Sequence, residues 1–215
     1  MSYATLNPQK TAILFFEMLN QYMYKRPTPE RERISADIIA NCVKLRRAAK
    51  ETGALIFHAQ DDERPDLKDY GLVWCDTDHR LNPWEDPEAQ LAITEVARGL
   101  ALPGTWGVQI IDELAPDEDD YVIVKKRWSA FFQTPLELSL RTRGVDTIVL
   151  CGGLISSGGA ATAFAAHDLD FNLVIAKDCC TWHVEGELDF FMTEVFPRMG
   201  RVRTADEVIA MFRSV

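Results

Sequence analysis

The segment TIVLCGGLISSGG, residues 147–159, contains the pattern that decides the fold. Its first five residues form a short apolar run, which is typical of a strand buried on both faces of a parallel sheet. The glycine-rich part favours a tight turn. An alanine-rich helix is predicted directly after it, over residues 159–170. A strand, a turn and a helix in this order indicate an α/β protein.

The same alternation of strand and helix extends along the chain. Segments with a helical period cover residues 35–51, residues 134–144 from an N-cap Thr-Pro to a glycine, and residues 205–212. The pattern predicts a three-layer α/β/α architecture with a mainly parallel sheet, and 215 residues fit a single domain over residues 1–215. The other predicted strands are Ala12–Phe16, Ala54–His58, Tyr121–Val124 and Leu173–Ala176.

The composition of the chain argues against several classes of partner and cofactor. There are 33 acidic and 23 basic side chains and the pI is near 4.9, so the surface should repel nucleic acid and anionic membranes. No secretory signal and no membrane-spanning run is recognisable. The five scattered cysteines form neither a disulfide framework nor a zinc motif, which favours a reducing cytoplasm. We expect no metal and no cofactor.

Three polar or glycine-rich segments follow predicted strands and are expected to meet at one edge of the sheet, where parallel sheets bind ligands. Glu17 follows the first strand, Lys125 follows the strand that ends at Val124, and residues 152–159 form the glycine-rich turn. Each feature alone has an ordinary structural explanation. A carboxylate often caps a helix or pairs with a cation, basic runs are usually solvated, and glycines often serve only packing.

A long segment between His58 and Tyr121 is the predicted source of specificity, because irregular segments of this length usually build binding sites. Trp84 is a candidate substrate contact, although a role in the core or at a subunit interface is the alternative. Arg80 suits a substrate carboxylate, with a plain surface role as the alternative. The segment Asp76–His79 is interpreted as a loop rather than a metal site.

Two quoted stretches carry a resemblance to a known family. They are GTWGVQIIDELAP, residues 104–116, and DDYVIVKKRWSAFFQTPLELSLRTRGVDTIVLCG, residues 119–152. Together they resemble the middle of the isochorismatase-like hydrolases, and the similarity extends from Glu17 to Asp178. The resemblance implies a Rossmann-like sheet, a small-molecule substrate and assembly as a homodimer or homotetramer.

The resemblance also implies positions for the active site. Most of these hydrolases use an aspartate, a lysine and a nucleophilic cysteine, with backbone N–H groups at a glycine turn, often beside a cis peptide, that bind the oxyanion. By this correspondence Lys125 takes the position of the lysine, Glu17 that of the aspartate, and Gly158 that of the cysteine. The oxyanion turn falls at Gly153 and Leu154.

Two more residues complete the candidate site. Ser157, beside Gly158, is a candidate for substrate or oxyanion binding, although a helix N-cap role is the alternative. Phe131, in the SAF segment after the lysine, is a candidate substrate contact.

Because glycine has no side chain, covalent catalysis by a thiol at position 158 is excluded. Isochorismatases proper cleave a vinyl ether without a cysteine nucleophile: a carboxylic acid protonates the vinyl carbon, and water attacks the resulting oxocarbenium ion. The leading hypothesis is a hydrolase of this kind, acting on a vinyl ether or a C–N bond with help from Glu17 and Lys125. The alternatives are amide hydrolysis by water activated on Glu17 and a non-catalytic protein that binds a ligand or only assembles.

Overall fold

The computed structural model describes residues 4–24, 28–64, 69, 104–182 and 184–214. Six strands form one sheet in which every pairing is parallel. They are β1 Thr11–Phe16, β2 Leu55–Asp61, β3 Tyr121–Lys125, β4 Thr147–Gly152, β5 Asn172–Ala176 and β6 Arg201–Arg203. The order across the sheet is β3-β2-β1-β4-β5-β6. The predicted parallel α/β architecture is therefore confirmed.

Four of the six α-helices in the described residues correspond to the four predicted helices, with different ends, and two helices of four residues each were not predicted. The six helices are α1 Asn20–Met23, α2 Pro29–Thr52, α3 Leu136–Arg141, α4 Ala160–Asp168, α5 Glu187–Phe190 and α6 Ala205–Arg213. Helix α2 begins well before the predicted residue 35, because the side chain of Thr28 accepts a hydrogen bond from the backbone N–H of Arg31. It ends as predicted at Gly53, whose φ of 80° is left-handed.

Two hydrophobic cores lie on the two faces of the sheet and account for the three layers. On one face α2 and α6 pack against β1, β4 and β5. On the other face α3 and α4 pack against the same strands and against β2. The strands at the centre are buried along their whole length, which explains their continuous apolar sequence.

The connection from β4 to α4 is irregular. Gly152 and Gly153 have φ values of 87° and 53°, and residues 155–159 then form a single π-helical turn before α4 begins at Ala160. Turns of this kind are frequent at functional sites. Within the described part of the chain, no helix is long and apolar enough to span a membrane.

Candidate functional site

Three charged side chains from adjacent strands form what we call the Glu17 cluster. Glu17 directly follows β1, Asp61 is the last residue of β2, and Lys125 is the last residue of β3. In the parallel register Asp61 is paired with Lys125, and the backbone N–H of Glu17 donates to the carbonyl of Ala59 in β2 at 2.8 Å. Because the strands are parallel, all three side chains lie at the carboxyl edge of the sheet, where ligands bind in such folds.

The ammonium group of Lys125 has three oxygen partners. It forms an ion pair with Glu17 Oε1, lies 2.5 Å from Asp61 Oδ1, and donates to the backbone carbonyl of Arg127 at 3.1 Å. The Lys125 side chain is only 2% exposed. The contact between Glu17 and Lys125 that the sequence predicts is therefore present, and the three N–H donors of the ammonium are satisfied.

The surroundings of Glu17 favour its neutral form. Burial raises the pKa of Glu17 from 4.5 to about 8, with a further rise from the negative charge of Asp61 and an opposing effect of Lys125. A hydrogen bond between the two carboxyl groups adds to the rise. One lysine can neutralise only one of two carboxylates, so a proton on Glu17 leaves the buried cluster without net charge. Glu17 is thus a carboxylic acid near neutral pH.

The backbone at Glu17 is also unusual. Its φ is 48°, a left-handed conformation that is uncommon for residues other than glycine. Its carbonyl accepts a hydrogen bond from the N–H of Leu19 at 2.8 Å, and its own N–H is bound to β2. Backbone strain of this kind persists only where the surrounding structure enforces it, and it is common at active sites.

The glycine-rich turn lies at the same edge, at the end of β4. Leu154 forms an isolated parallel bridge with Thr181, in which the N–H of Thr181 donates to the carbonyl of Gly153 at 2.9 Å and the N–H of Ile155 to the carbonyl of Thr181 at 3.0 Å. Ser157 is half-buried in the π-helical turn. The resemblance implies a cis peptide beside this turn, but no cis peptide bond occurs in the described ranges.

Gly158 is buried and is linked to the segment that follows β3. Its carbonyl accepts a hydrogen bond from Thr162 Oγ1 at 2.8 Å, and the same oxygen of Thr162 accepts one from the N–H of Ala130 at 3.0 Å. Thr162 therefore joins the turn to the SAF segment. A Cβ placed on Gly158 would lie 2.6 Å from Cζ of Phe16, so the ring of Phe16 occupies the space that a side chain at position 158 would need.

Phe131 has no described contact with the Glu17 cluster. The ring of Phe131 packs against that of Phe171, with centroids 5.8 Å apart, as part of the hydrophobic core on that face. Arg80 and Trp84 lie outside the described residues. So do Asp76 and His79. Among the residues that the structure describes, no group of three His, Cys, Asp or Glu side chains could hold a metal ion.

Asp61 is the member of the cluster that sequence reasoning missed. The prediction ended the second strand at His58, whereas β2 continues to Asp61 because its polar end still pairs with β3. A second strand extended to Asp61 would have placed that carboxylate beside Glu17 and Lys125, because the carboxyl ends of parallel strands lie at one edge of the sheet.

The described cysteines do not replace the missing thiol. Cys42, Cys151, Cys179 and Cys180 are buried and unpaired. Burial raises the pKa of Cys151 to about 11, and the pKa of Cys180 is raised in the same direction by the same cause. Thiols in this state are poor nucleophiles. Cys75 lies outside the described residues.

Comparison with known proteins identifies the domain in which this site occurs and several relatives of the chain. The model of the isochorismatase domain matches residues 11–207. The uncharacterized isochorismatase family protein YecD of Escherichia coli O157:H7 is 42% identical over 108 residues, which are 50% of this chain and 57% of YecD. The phenazine biosynthesis protein PhzD1 of Pseudomonas aeruginosa is 27% identical over 214 residues, covering 95% of this chain and 87% of that protein.

A solved structure agrees over the full length. An isochorismatase family protein from Burkholderia thailandensis superimposes with a TM-score of 0.77 at 25% sequence identity, covering 99% of this chain and 100% of that chain. The match to YecD covers little more than half of that relative's length.

Proposed function

Because the chain belongs to the isochorismatase domain family, we propose that it is a small-molecule hydrolase that works without a cysteine nucleophile. Glu17 is the proposed acid, Lys125 stabilises charge, and Gly158 stands at the position where most of these hydrolases carry cysteine. The observation that carries the proposal is the buried cluster at the carboxyl edge of the sheet, in which Glu17 and Asp61 share the one ammonium of Lys125. The Glu17 pKa of about 8 leaves that carboxyl mostly neutral at pH 7, which suits an acid that must deliver a proton.

This protonation state favours cleavage of a vinyl ether over activation of water. In the proposed reaction the Glu17 carboxyl protonates the terminal vinyl carbon, and the ether oxygen shares the positive charge as an oxocarbenium ion. The Glu17 carboxylate formed in this step stabilises the cation and accepts a proton from the attacking water. The resulting hemiketal collapses to an alcohol and a ketone, so one water is consumed and Glu17 is again protonated.

Lys125 contributes by controlling the charge of the cluster. While Glu17 is protonated, Lys125 and Asp61 form a neutral ion pair at 2.5 Å. When Glu17 loses its proton, the nearby ammonium stabilises the new carboxylate. Lys125 therefore allows Glu17 to release its proton, although burial disfavours the charged Glu17 carboxylate.

Hydrolysis of a C–N bond is the second proposed reaction. It draws on the backbone N–H groups of the turn at Gly153 and Leu154, which the resemblance assigns to binding the oxyanion. It needs Glu17 as a base, and the raised pKa of Glu17 disfavours the deprotonated form at pH 7. Ser157, Arg80, Trp84 and Phe131 are the proposed substrate contacts for either reaction.

A non-catalytic protein of the same fold is the competing proposal. It draws on the burial of the cluster, since Glu17 is 6% exposed and Phe16 fills the space beside Gly158. Such a protein would bind a small ligand or act through assembly. Assembly as a homodimer or homotetramer, which the resemblance implies, can be measured by light scattering of the purified protein. The cytoplasmic location stays a prediction from the cysteine pattern.

Deuterium incorporation separates these proposals. We expect turnover of a vinyl ether carboxylate in D2O to give a ketone whose new methyl group carries one deuterium, because protonation occurs at carbon. Glu17→Gln should reduce turnover by about 10²–10⁴-fold, the usual contribution of a positioned acid. Alkylation of accessible cysteines should leave turnover unchanged.

Three results would contradict the proposal. Turnover of amides without turnover of vinyl ethers favours the C–N reaction. Equal activity of Glu17→Gln and the unmodified protein removes Glu17 as the acid. No turnover across a panel of vinyl ethers, amides and esters, together with saturable ligand binding, favours the non-catalytic protein.

A further inference from the structure

The aromatic ring of Phe16 lies in a space made by glycines. It is fully buried, and a Cβ on Gly158 would approach its Cζ and Cε1 atoms to 2.6 and 2.7 Å. A Cβ on Gly153 would collide with Cδ1 and would lie 3.0 Å from Cε1. Atoms this close do not occur between ordinary side chains, so the two positions and the ring are matched in shape.

The same ring lies against the functional cluster. The ammonium of Lys125 is 4.9 Å from the centroid of the Phe16 ring, within the range of a cation–π contact. Phe16 also directly precedes Glu17, whose left-handed backbone begins at the end of the strand that holds the ring. The ring therefore contacts the glycine turn and Lys125 at once.

We propose that Phe16 is a positioning residue of the site: its ring, seated against Gly153 and Gly158, holds the Lys125 ammonium beside Glu17 and keeps water out of the cluster. In this arrangement glycine at position 158 is needed to make room for the ring. The catalytic role of Phe16 rests on the proposed function. The arrangement of its ring, the two glycines and Lys125 can be tested without any substrate.

The state of Glu17 provides the first test. The charged groups that face its carboxyl are Lys125 from β3 and Asp61 from β2. Replacing the ring with a smaller aliphatic side chain should admit water and remove the contact with the ammonium. Because burial is the largest cause of the raised Glu17 pKa, that pKa should fall.

The experiment is a carboxyl ¹³C NMR titration of glutamate-labelled protein, with the Glu17 signal assigned from its absence in Glu17→Gln. We expect Phe16→Leu to lower the Glu17 pKa by about one unit or more. Phe15→Leu is the matched control, because Phe15 is the preceding residue of β1, is equally buried, and stacks on His58 on the opposite face of the sheet. It should reduce stability without moving the Glu17 titration. If Phe16→Leu does not fold, Phe16→Met replaces it, since it retains more of the volume without a ring.

The fit between ring and glycine provides the second test. Gly158→Ala should lower the melting temperature strongly in the unmodified protein and much less in Phe16→Leu, because the smaller side chain leaves room for the methyl group. Gly159→Ala is the control: its Cβ would meet Ile155 and Leu154 but not Phe16, so its effect should be the same in both backgrounds.

Two outcomes overturn the inference. An unchanged Glu17 titration in Phe16→Leu would show that the ring only fills space. Additive effects of the Phe16 and Gly158 substitutions on melting temperature would show that the two positions are independent. Both results leave the deuterium test of the hydrolase unaffected, so failure here is distinct from failure of the proposed function.

Discussion

Two clusters of acidic and basic side chains flank β2 and β3, and they differ in the ratio of cations to carboxylates. The Glu17 cluster has one cation for two carboxylates. The second, which we call the Asp120 cluster, has two cations for two carboxylates: Arg46 and Lys50 from α2 contact both Asp117 and Asp120. The distances from Asp120 to Arg46 and Lys50 are 2.9 and 2.6 Å.

Burial and the charge ratio together explain why the pKa of Glu17 is raised and that of Asp117 is lowered, since Glu17 is buried whereas the Asp117 side chain is half-exposed. In the Asp120 cluster each carboxylate has a cation, and Lys50 lowers the pKa of Asp117. In the Glu17 cluster the two carboxylates share one cation, and burial together with the charge of Asp61 raises the pKa of Glu17. The first arrangement is typical of a structural ion pair, whereas the second keeps a transferable proton. Burial combined with the charge count thus distinguishes the candidate acid Glu17 from the structural ion pairs of Asp117.

Removal of the cation from the Glu17 cluster should have the largest effect. Lys125→Met leaves two carboxyl groups facing each other in a buried site, so we expect a loss of about 3–5 kcal/mol in the free energy of unfolding. Urea unfolding at pH 7 measures it. The double variant Lys125→Met with Glu17→Gln should recover part of the loss, because a neutral amide no longer needs the ammonium. A double variant as unstable as the single one would contradict the charge argument.

Removal of Asp61 should convert the Glu17 cluster into the one-to-one ratio of the Asp120 cluster. Asp61→Asn leaves Glu17 as the one carboxyl that pairs with Lys125, so the Glu17 pKa should fall by about 1–3 units. Activity that needs protonated Glu17 is lost as pH rises through that pKa, and the alkaline limb of the pH profile should move to lower pH accordingly. Carboxyl NMR titration and a pH–rate profile measure the two effects. A limb that stays near pH 8 would exclude Asp61 as the cause.

The parts of the fold with continuous apolar sequence were predictable. Strands β1 and β4 are buried along their whole length, and their apolar runs located them within one residue of their observed ends. Strand β6, Arg201–Arg203, was missed because its three residues are half-buried and two of them are charged. Its pairing with β5 depends on tertiary structure, which a short polar segment does not reveal.

The candidate site was predictable in its positions but not in its chemistry. The contact of Glu17 and Lys125 follows from parallel strands ending at one edge. The protonation of Glu17 does not, because it depends on burial and on Asp61, whose strand continues beyond the predicted end at His58. The fit of Phe16 to Gly158 was equally hidden, since the two residues belong to different strand–helix units and meet only when β1 and β4 pair.

The smallest expected effect concerns His58, which lies between β1 and the Asp120 cluster. Its ring stacks on Phe15, its Nε2 is 3.8 Å from Asp120, and neither ring nitrogen has a hydrogen-bond partner in the described structure. Burial lowers the pKa of His58 to about 4, against the opposing pull of Asp120. Between pH 6.5 and about 4 the unfolded chain therefore binds a proton that folded His58 does not.

Stability should consequently fall as pH decreases through this window, by at most about 1.4 kcal/mol per pH unit from His58. Glu17 acts in the opposite direction: its folded pKa of about 8 lies above the unfolded value of 4.5, so its contribution is complete below pH 4.5 and is lost as pH rises to about 8. His58→Phe should flatten the acidic side of the stability profile, and Glu17→Gln the alkaline side. Urea unfolding from pH 4 to 8.5 measures both slopes. His167→Gln is the control for loss of an imidazole, because His167 is exposed. If His58→Phe has the same slope as the unmodified protein below pH 6.5, His58 is not held neutral by burial, and the contrast between the two clusters rests on Glu17 alone.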